Sequence, residues 1–151
     1  MRMETENIVV SATGLSIGYH HKKAANVIAK NINLNLKSGN LIALIGANGI
    51  GKSTLLRTLT AIQKPLEGNI LLNGTNLHSY SSKQLAQNLS VVLTETLPPS
   101  NLTVFELIAL GRQPYTNWLG TLTEEDTAQI NKAIELTHLN HLLYKKQYEK
   151  S

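Results

Sequence analysis

The sequence contains no cysteine, so neither disulfide bonds nor thiolate metal sites can form within it. Aspartate is almost absent too, because Asp126 is the only one. No apolar run approaches the roughly 20 residues that a membrane-spanning helix needs. The first ten residues include Glu4 and Glu6, where a signal peptide would need an apolar stretch. We therefore expect a protein that neither spans a membrane nor carries a signal peptide.

The remaining composition is ordinary for a globular protein. Hydrophobic residues make up 42% of the 151 residues and charged residues 16%, a balance typical of a folded domain rather than a disordered chain. The net charge is +4, but no run of lysine or arginine exceeds two residues. We therefore interpret the charge as a solvated surface and expect no nucleic-acid partner.

The first half of the chain predicts a β-rich structure. The stretches "IVVSATGLSIGY" and "VIAKNINLNLK" are rich in β-branched residues, and the short loop between them indicates an antiparallel pair. "LIALIG" at 41–46 is apolar on both faces, which is typical of a buried central strand. "EGNILLNG" and "LSVVL" at 89–93 predict two further strands. "KSTLLRTLTAI" has the spacing of a helix, with Leu55, Leu56, Leu59 and Ile62 on its apolar face.

The second half predicts helices. "SSKQLAQ" indicates a short helix, and "TVFELIALG" a second one that Thr103 caps and Gly111 ends. "TEEDTAQINKAIELTHL" begins with a capping-box pattern, Thr123-x-x-Asp126. The apolar stripe predicted for this helix is Ile130, Ala133, Ile134 and Thr137.

Residues 46–53, "GANGIGKS", match the phosphate-loop pattern G-x-x-x-x-G-K-[ST] at every fixed position. A predicted strand before it and a predicted helix after it disfavour a chance glycine-rich turn. Such a loop turns its amide groups toward an anion, at a helix N-terminus whose dipole adds attraction. The chemistry predicts that Lys52 reaches the β- and γ-phosphates, Ser53 ligates Mg²⁺ and Thr54 adds a phosphate contact. The predicted nucleotide-binding residues of the loop are Gly46, Ala47, Asn48, Gly49, Ile50, Gly51, Lys52, Ser53 and Thr54.

Together with "LSIGY", "PLEGNILLNGTNL" and "NLTVFELIALGRQPYTNWLG", this loop resembles the ATP-binding subunit of an ATP-binding-cassette (ABC) transporter. The likeness is greatest to the branch that imports iron chelates, haem and cobalamin. The resemblance implies an α/β fold, the N-terminal part of an ABC-type P-loop NTPase with an antiparallel β subdomain. Residues 1–95 would form that part, and residues 96–151 the start of a helical subdomain.

The resemblance also implies two site residues outside the loop. Tyr19 takes the position of the aromatic residue that stacks on adenine, although a tyrosine that merely packs at a strand end is the alternative. Glu95 stands where the family usually has a glutamine that ligates Mg²⁺ and senses the γ-phosphate. A glutamate oxygen could still ligate Mg²⁺. A plain surface glutamate is the alternative.

The family's signature loop, acidic Asp-Glu strand and switch histidine cannot be found in these residues. We therefore expect a truncated chain that binds ATP and Mg²⁺ but hydrolyses ATP inefficiently, with no catalytic residue identifiable. We also expect exposed apolar surface and marginal stability for the isolated chain.

The resemblance further implies a transmembrane permease, a second ATPase subunit in a dimer and, indirectly, a substrate-binding protein. Such a chain would lie peripherally on the cytoplasmic face of the membrane. The phosphate loop alone leaves two alternatives, a different P-loop protein such as a nucleotide kinase, and a remnant without a present role. Few arginines argue against the kinase, since only Arg2, Arg57 and Arg112 occur.

Three smaller features permit other interpretations. His20 with His21, and His138 with His141 at helical spacing, could suggest a metal, but each pair lacks a third ligand and a solvated surface is favoured. Trp118 and its neighbour Tyr115 lie in the loop "RQPYTNWLG". They could form an interface with the permease or pack locally within the subdomain.

Overall fold

A computed structural model describes the chain over residues 7–20, 24–92 and 100–146. The strands of this described part are β1 (Ile8–His20), β2 (Ala25–Lys37), β3 (Glu67–Leu72) and β4 (Thr75–Asn76). Its α-helices are α1 (Lys52–Leu59), α2 (Ser82–Asn88), α3 (Val104–Ala109) and α4 (Glu124–Leu136). Short 3-10 turns cover Leu77–Ser79, Leu110–Arg112 and Asn140–Leu142. None of the described helices is long and apolar enough to span a lipid bilayer.

The contacts divide the chain into two compact units, Met1–Ser81 and Ser82–Ser151. The four strands and α1 belong to the first unit, and the other three α-helices to the second. Each unit buries apolar side chains of its own, such as Ile70 in the first and Ile130 in the second. The predicted domain boundary at residues 95 and 96 lies outside the described residues and stays a prediction.

The first unit is built on one antiparallel sheet with the strand order β2-β1-β3-β4. β1 pairs with β2 across the predicted loop, with Ile17 opposite Ala29, so the predicted antiparallel pair is confirmed. β3, also predicted, pairs with the other edge of β1 and places Ile70 opposite Ala12. α1 packs against β1 and buries Leu59. The helix after the phosphate loop is therefore fixed against the strand that carries Tyr19.

Two predicted strands are not formed, so these predictions were wrong. Residues 41–46 and 89–92 are without strand structure, and the side chains of Leu41, Ile45 and Val92 are almost fully exposed. A strand exists only where a neighbouring strand satisfies its backbone hydrogen bonds. The four described strands pair only among themselves, so these segments have no such neighbour in the described structure. Apolar composition alone was therefore not sufficient to predict a strand.

α1 begins at Lys52 as predicted but ends at Leu59, so the predicted extension to Ile62 was wrong. The chain turns out of the helix at Ala61, whose φ is 60°, in the left-handed region. The Ala61 N–H donates to the carbonyl of Thr58 at 3.2 Å, which is the pattern of a helix C-terminal turn. Ile62 then lies beyond the helix and is half exposed.

Replacing Ala61 by glycine is expected to raise the free energy of unfolding by about 0.5 to 1 kcal/mol. A left-handed backbone costs an L-residue about 1–2 kcal/mol, and the greater freedom of glycine in the unfolded chain offsets part of the gain. Denaturant unfolding followed by circular dichroism measures the change. Ala133→Gly is the matched control, because it places glycine inside α4 and should lower stability by about 1 kcal/mol. A loss of stability in both variants would contradict the prediction.

In the second unit, α2 forms as predicted, and α3 and α4 each begin with a complete capping box. The Glu106 N–H donates to Thr103 Oγ1 at 3.2 Å, and the Thr103 N–H donates to Glu106 Oε2 at 2.7 Å. At α4, the Asp126 N–H donates to Thr123 Oγ1 at 3.1 Å, and the Thr123 N–H donates to Asp126 Oδ2 at 3.0 Å. The hydrogen bonds from Thr103 hold the pKa of the Glu106 carboxyl below its ordinary value. Both predicted helix starts are confirmed.

The predicted end of the first capped helix was wrong. α3 passes directly into the turn Leu110–Arg112, and Gly111 within that turn does not have a positive φ. Gly111 therefore does not provide the left-handed residue that usually ends a helix at glycine.

α4 ends near the predicted place. Ile130 and Ile134 are buried as predicted and Ala133 is half-buried, but Thr137 is the exposed C-cap residue, so its predicted burial was wrong. The turn after the helix uses His138, whose φ is 56°, where glycine is usual. The buried apolar stripe of α4 therefore ends one turn earlier than the sequence periodicity indicates.

Candidate functional site

The predicted phosphate loop, residues 46–51, lies on the surface of the first unit and leads directly into α1. Gly49 and Gly51 have φ values of 82° and 105°, which glycine adopts without strain. Gly51 is also the residue before the helix, and no side chain caps that helix end. The amide groups of the first helical turn therefore point out of the helix end, toward the loop. A Cβ atom on Gly51 would also collide with the side chain of Ile28 in β2.

Lys52 directs its charge into this loop. Its Nζ atom donates to the carbonyl oxygens of Gly46 and Ala47, each at 2.7 Å. The ammonium group is therefore held at the first two residues of the loop. Since the loop is exposed, an anion from solvent can reach the Lys52 ammonium.

The next two residues of α1 differ in their surroundings. Ser53 is exposed, so its hydroxyl is free to meet a ligand, whereas Thr54 is buried. A neutral hydroxyl oxygen is a suitable ligand for Mg²⁺. The described residues hold no group of three His, Cys, Asp or Glu side chains that could bind a metal ion. Glu95, the other predicted ligand, lies outside the described residues.

Tyr19, near the end of β1, is brought to the start of α1. Its hydroxyl lies 3.2 Å from Thr54 Oγ1, a hydrogen bond between residues 35 positions apart. The Tyr19 side chain is 43% exposed, so its ring is neither packed into the core nor fully in solvent. The structure thus joins the two parts of the predicted site, the aromatic residue and the phosphate loop.

The sequence reasoning did not identify Gln63 as a neighbour of this site. An open hollow of about 270 Å³ lies beside Tyr19, and Arg57, Gln63 and Lys64 contribute to its wall. The side-chain amide of Gln63 donates to the carbonyl of Gly18. No sequence pattern marks this residue, because the contact depends on how the turn after α1 returns toward β1.

No group of three metal-ligating side chains that includes a histidine is found among the described residues. His20 is exposed at the end of β1, and His21 lies outside the described residues. His138 follows the end of α4, and His141 lies in the turn Asn140–Leu142. The expectation that the last two share one helical face was therefore wrong.

In the second unit, Arg112 organises the loop that contains both predicted aromatic residues. Its Nε atom donates to Asp126 Oδ1 at 2.8 Å, and its guanidinium carbon lies 4.0 Å from the centroid of the Tyr115 ring. Hydrogen bonds from Thr123, and then Arg112, hold the pKa of the Asp126 carboxyl below its ordinary value. Tyr115 thus has a local packing partner, whereas the Trp118 side chain is 91% exposed.

Comparison with known proteins places this geometry in context. The sequence profile of the ABC transporter family matches residues 29–151. An uncharacterized ABC transporter ATP-binding protein of Methanocaldococcus jannaschii is 40% identical over 149 residues, which are 99% of this chain and 48% of that protein. The achromobactin transport ATP-binding protein of Dickeya dadantii is 38% identical over 128 residues, 85% of this chain and 46% of the relative.

Solved structures show the same fold. An ABC transporter ATP-binding protein from Pyrococcus furiosus superimposes on this chain with a TM-score of 0.71 at 27% sequence identity. The superposition covers 94% of this chain and 62% of the Pyrococcus chain. The fold is therefore that of the N-terminal part of a nucleotide-binding cassette, as predicted. The chain spans about half the length of the curated relatives it matches.

Proposed function

The chain belongs to the ABC transporter family, and from that premise we propose that it carries the ATP-binding part of an importer. The proposed cargo is an iron complex, such as a siderophore or haem, or cobalamin. Relatives that support this choice include ATP-binding proteins for transport of ferric enterobactin, petrobactin and cobalamin. The alternative of an unrelated P-loop protein, such as a nucleotide kinase, is set aside by the family match.

The position of the Lys52 ammonium carries the proposal that ATP binds here. Lys52 is already held at the mouth of the loop by Gly46 and Ala47, so phosphate oxygens need only replace two carbonyl oxygens. The uncapped amide groups of α1 would supply further donors to the phosphates. A ligand that finds its donors already in place loses little conformational entropy on binding.

Each remaining site residue has a role in the same proposal. Ser53 would offer its hydroxyl to Mg²⁺, which neutralises phosphate charge when bound. Thr54, whose side chain is buried and bonded to Tyr19, would add a phosphate contact through its backbone N–H, and Tyr19 would stack on adenine. Glu95 stays a proposed Mg²⁺ ligand. The hydrogen bond between Tyr19 and Thr54 supports the assignment, because it places the base-stacking and phosphate-binding residues side by side.

Replacing Tyr19 by alanine is expected to lower the affinity for ATP roughly 5- to 100-fold, since stacking of a base on an aromatic ring contributes about 1–3 kcal/mol. Tyr19→Phe is the matched control. It keeps the ring and loses only the hydrogen bond to Thr54, so most of the affinity should remain. Titration with ATP and Mg²⁺ measures both variants. Equal losses in the two variants would show that the ring itself is not used.

We propose further that these 151 residues bind Mg-ATP but split it inefficiently. Asp126, the only aspartate, is bound by Thr123 and Arg112 and caps α4, so its carboxylate is committed to the fold. We expect phosphate release at saturating Mg-ATP to be no faster than that of Lys52→Ala. Release clearly above that level would contradict this part of the proposal.

The proposed partners are a membrane permease, a second ATP-binding subunit and, indirectly, a substrate-binding protein. We propose that the protein lies peripherally on the cytoplasmic face of the membrane. The exposed Trp118 supports a contact with the permease, because exposed tryptophans are frequent hot spots of interfaces.

Deletion of the gene tests the transport proposal. Uptake of labelled iron chelates, haem and cobalamin would be compared in wild-type and deletion strains. We expect the uptake of one of these cargoes to fall in the deletion strain. It should recover when the wild-type gene is restored and stay low when the Lys52→Ala gene is supplied instead. Unchanged uptake of all three cargoes would favour a remnant without a present role.

A further inference from the structure

Gln63 connects the end of α1 to the strand that carries Tyr19. Its side-chain amide donates to the carbonyl of Gly18, and its own N–H donates to the carbonyl of Arg57 at 3.0 Å. One residue thus joins the last turn of the helix to the strand position immediately before Tyr19. The Gln63 side chain is half-buried, so the hydrogen bond to Gly18 is partly shielded from water.

The strand is tightly confined at this point. A Cβ atom on Gly18 would collide with the backbone carbonyl of Asn26 in β2 and would lie 2.8 Å from Leu66 Cδ1. Leu66 itself is bonded to β1, because its N–H donates to the Ser16 carbonyl at 2.9 Å. Gly18 therefore lies between β2 on one side and the turn after α1, which carries Gln63, on the other.

Tyr19 then has a second attachment at its far end. Its hydroxyl is hydrogen-bonded to Thr54 in the first turn of α1. Backbone and ring are thus both fixed to the segment 52–63, which also carries the Lys52 ammonium. The base-stacking and phosphate-binding parts of the site share one rigid frame.

We propose that Gln63 is a positioning residue for Tyr19, which orients the ring for recognition of the adenine base. This inference rests on the proposed binding of ATP. Without the amide of Gln63, the Gly18 carbonyl loses its donor and the strand end can shift. A shifted ring gains freedom that must be lost again when the base stacks on it. The phosphate loop has its own anchors, so its affinity for the phosphate chain does not depend on Gln63.

The test compares two ligands of Gln63→Met, a variant that keeps the length and approximate volume of the side chain but removes the donor. We expect the affinity for Mg-ATP to fall about three- to tenfold, the loss expected for one hydrogen bond. The affinity for Mg-tripolyphosphate, which has no base, should stay within about twofold of wild type. Equal weakening of both ligands, or no weakening of either, would overturn the proposal. The tripolyphosphate arm also verifies that the variant folds.

A double-mutant cycle separates positioning from other roles of Gln63. In a Tyr19→Ala background there is no ring to orient, so Gln63→Met should cause no further loss of ATP affinity. A further loss equal to that in the wild-type background would contradict a role through Tyr19. Wild-type protein that binds neither ligand would disprove the proposed function itself. Wild-type binding of ATP with an unaffected Gln63→Met variant would disprove only this inference.

Discussion

Lys52→Ala is expected to lower the affinity for Mg-ATP roughly 10- to 150-fold, one of the largest effects we predict for a side chain of the site. A hydrogen bond to a charged group contributes about 1.5–3 kcal/mol, and Lys52 supplies the one ammonium held within the described loop. Its removal also frees the carbonyls of Gly46 and Ala47, which would then face the phosphates with like partial charge. The variant loop therefore attracts the phosphates of ATP less and repels them more.

Titration with a fluorescent ATP analogue and Mg²⁺ measures this loss. Lys132→Ala is the matched control, because it removes the same charge from the exposed surface of α4, in the other unit. Its affinity should match that of wild type at moderate ionic strength, because Lys132 is not part of the phosphate loop and salt screens exposed charges. If Lys52→Ala binds as tightly as Lys132→Ala, the phosphate-loop assignment is wrong.

Gly68→Ala is expected to lower the free energy of unfolding by about 3 to 5 kcal/mol, a large fraction of the stability of a typical domain. Gly68 has a φ of 88°, and a Cβ atom there would lie 2.5 Å from the carbonyl oxygen of Gly14 and 2.6 Å from Leu15 Cα. Both contacts are to backbone, which cannot rotate away. β1 and β3 would have to separate where their register shifts between Thr13 and Ser16.

Gly74→Ala separates the two causes of this loss of stability, the strained backbone and the collision of the new Cβ atom with β1. Gly74 also has a positive φ, 77°, but a Cβ atom there would meet nothing within 4 Å. Its substitution should therefore cost only the backbone strain, reduced by the lower freedom of alanine in the unfolded chain to about 0.5 to 1 kcal/mol. Chemical denaturation of both variants provides the comparison. Similar losses at the two positions would show that the close approach of Gly68 to β1 is not important for stability.

The helix starts, whose causes are local, were predicted correctly, whereas two helix ends were not. The capping boxes at Thr103 and Thr123 involve residues three positions apart, so the sequence contains the complete interaction. The same holds for the start of α1, which follows its glycines directly. The predicted strands at 41–46 and 89–93 depended on neighbours elsewhere in the chain, and those neighbours cannot be read from an apolar run.

The residues of the candidate site also fall into two groups, those predicted from local spacing and those that depend on distant parts of the chain. The loop, Lys52 and Ser53 are adjacent in sequence, and a known spacing predicts them. Tyr19 needed the family resemblance, since 35 positions separate it from Thr54. Gln63 was missed altogether, because a glutamine after a helix has many ordinary explanations.

The sequence by itself determined the phosphate loop, the antiparallel pair of long strands, the two capped helices and the family. Each follows from short-range spacing or from a pattern shared with relatives. Only the tertiary structure decided that Tyr19 bonds to Thr54 and that Gln63 supports Gly18. Those contacts depend on how α1 packs against β1. The physical reason is that a hydrogen bond across 35 or 45 residues exists only after the intervening chain has folded back.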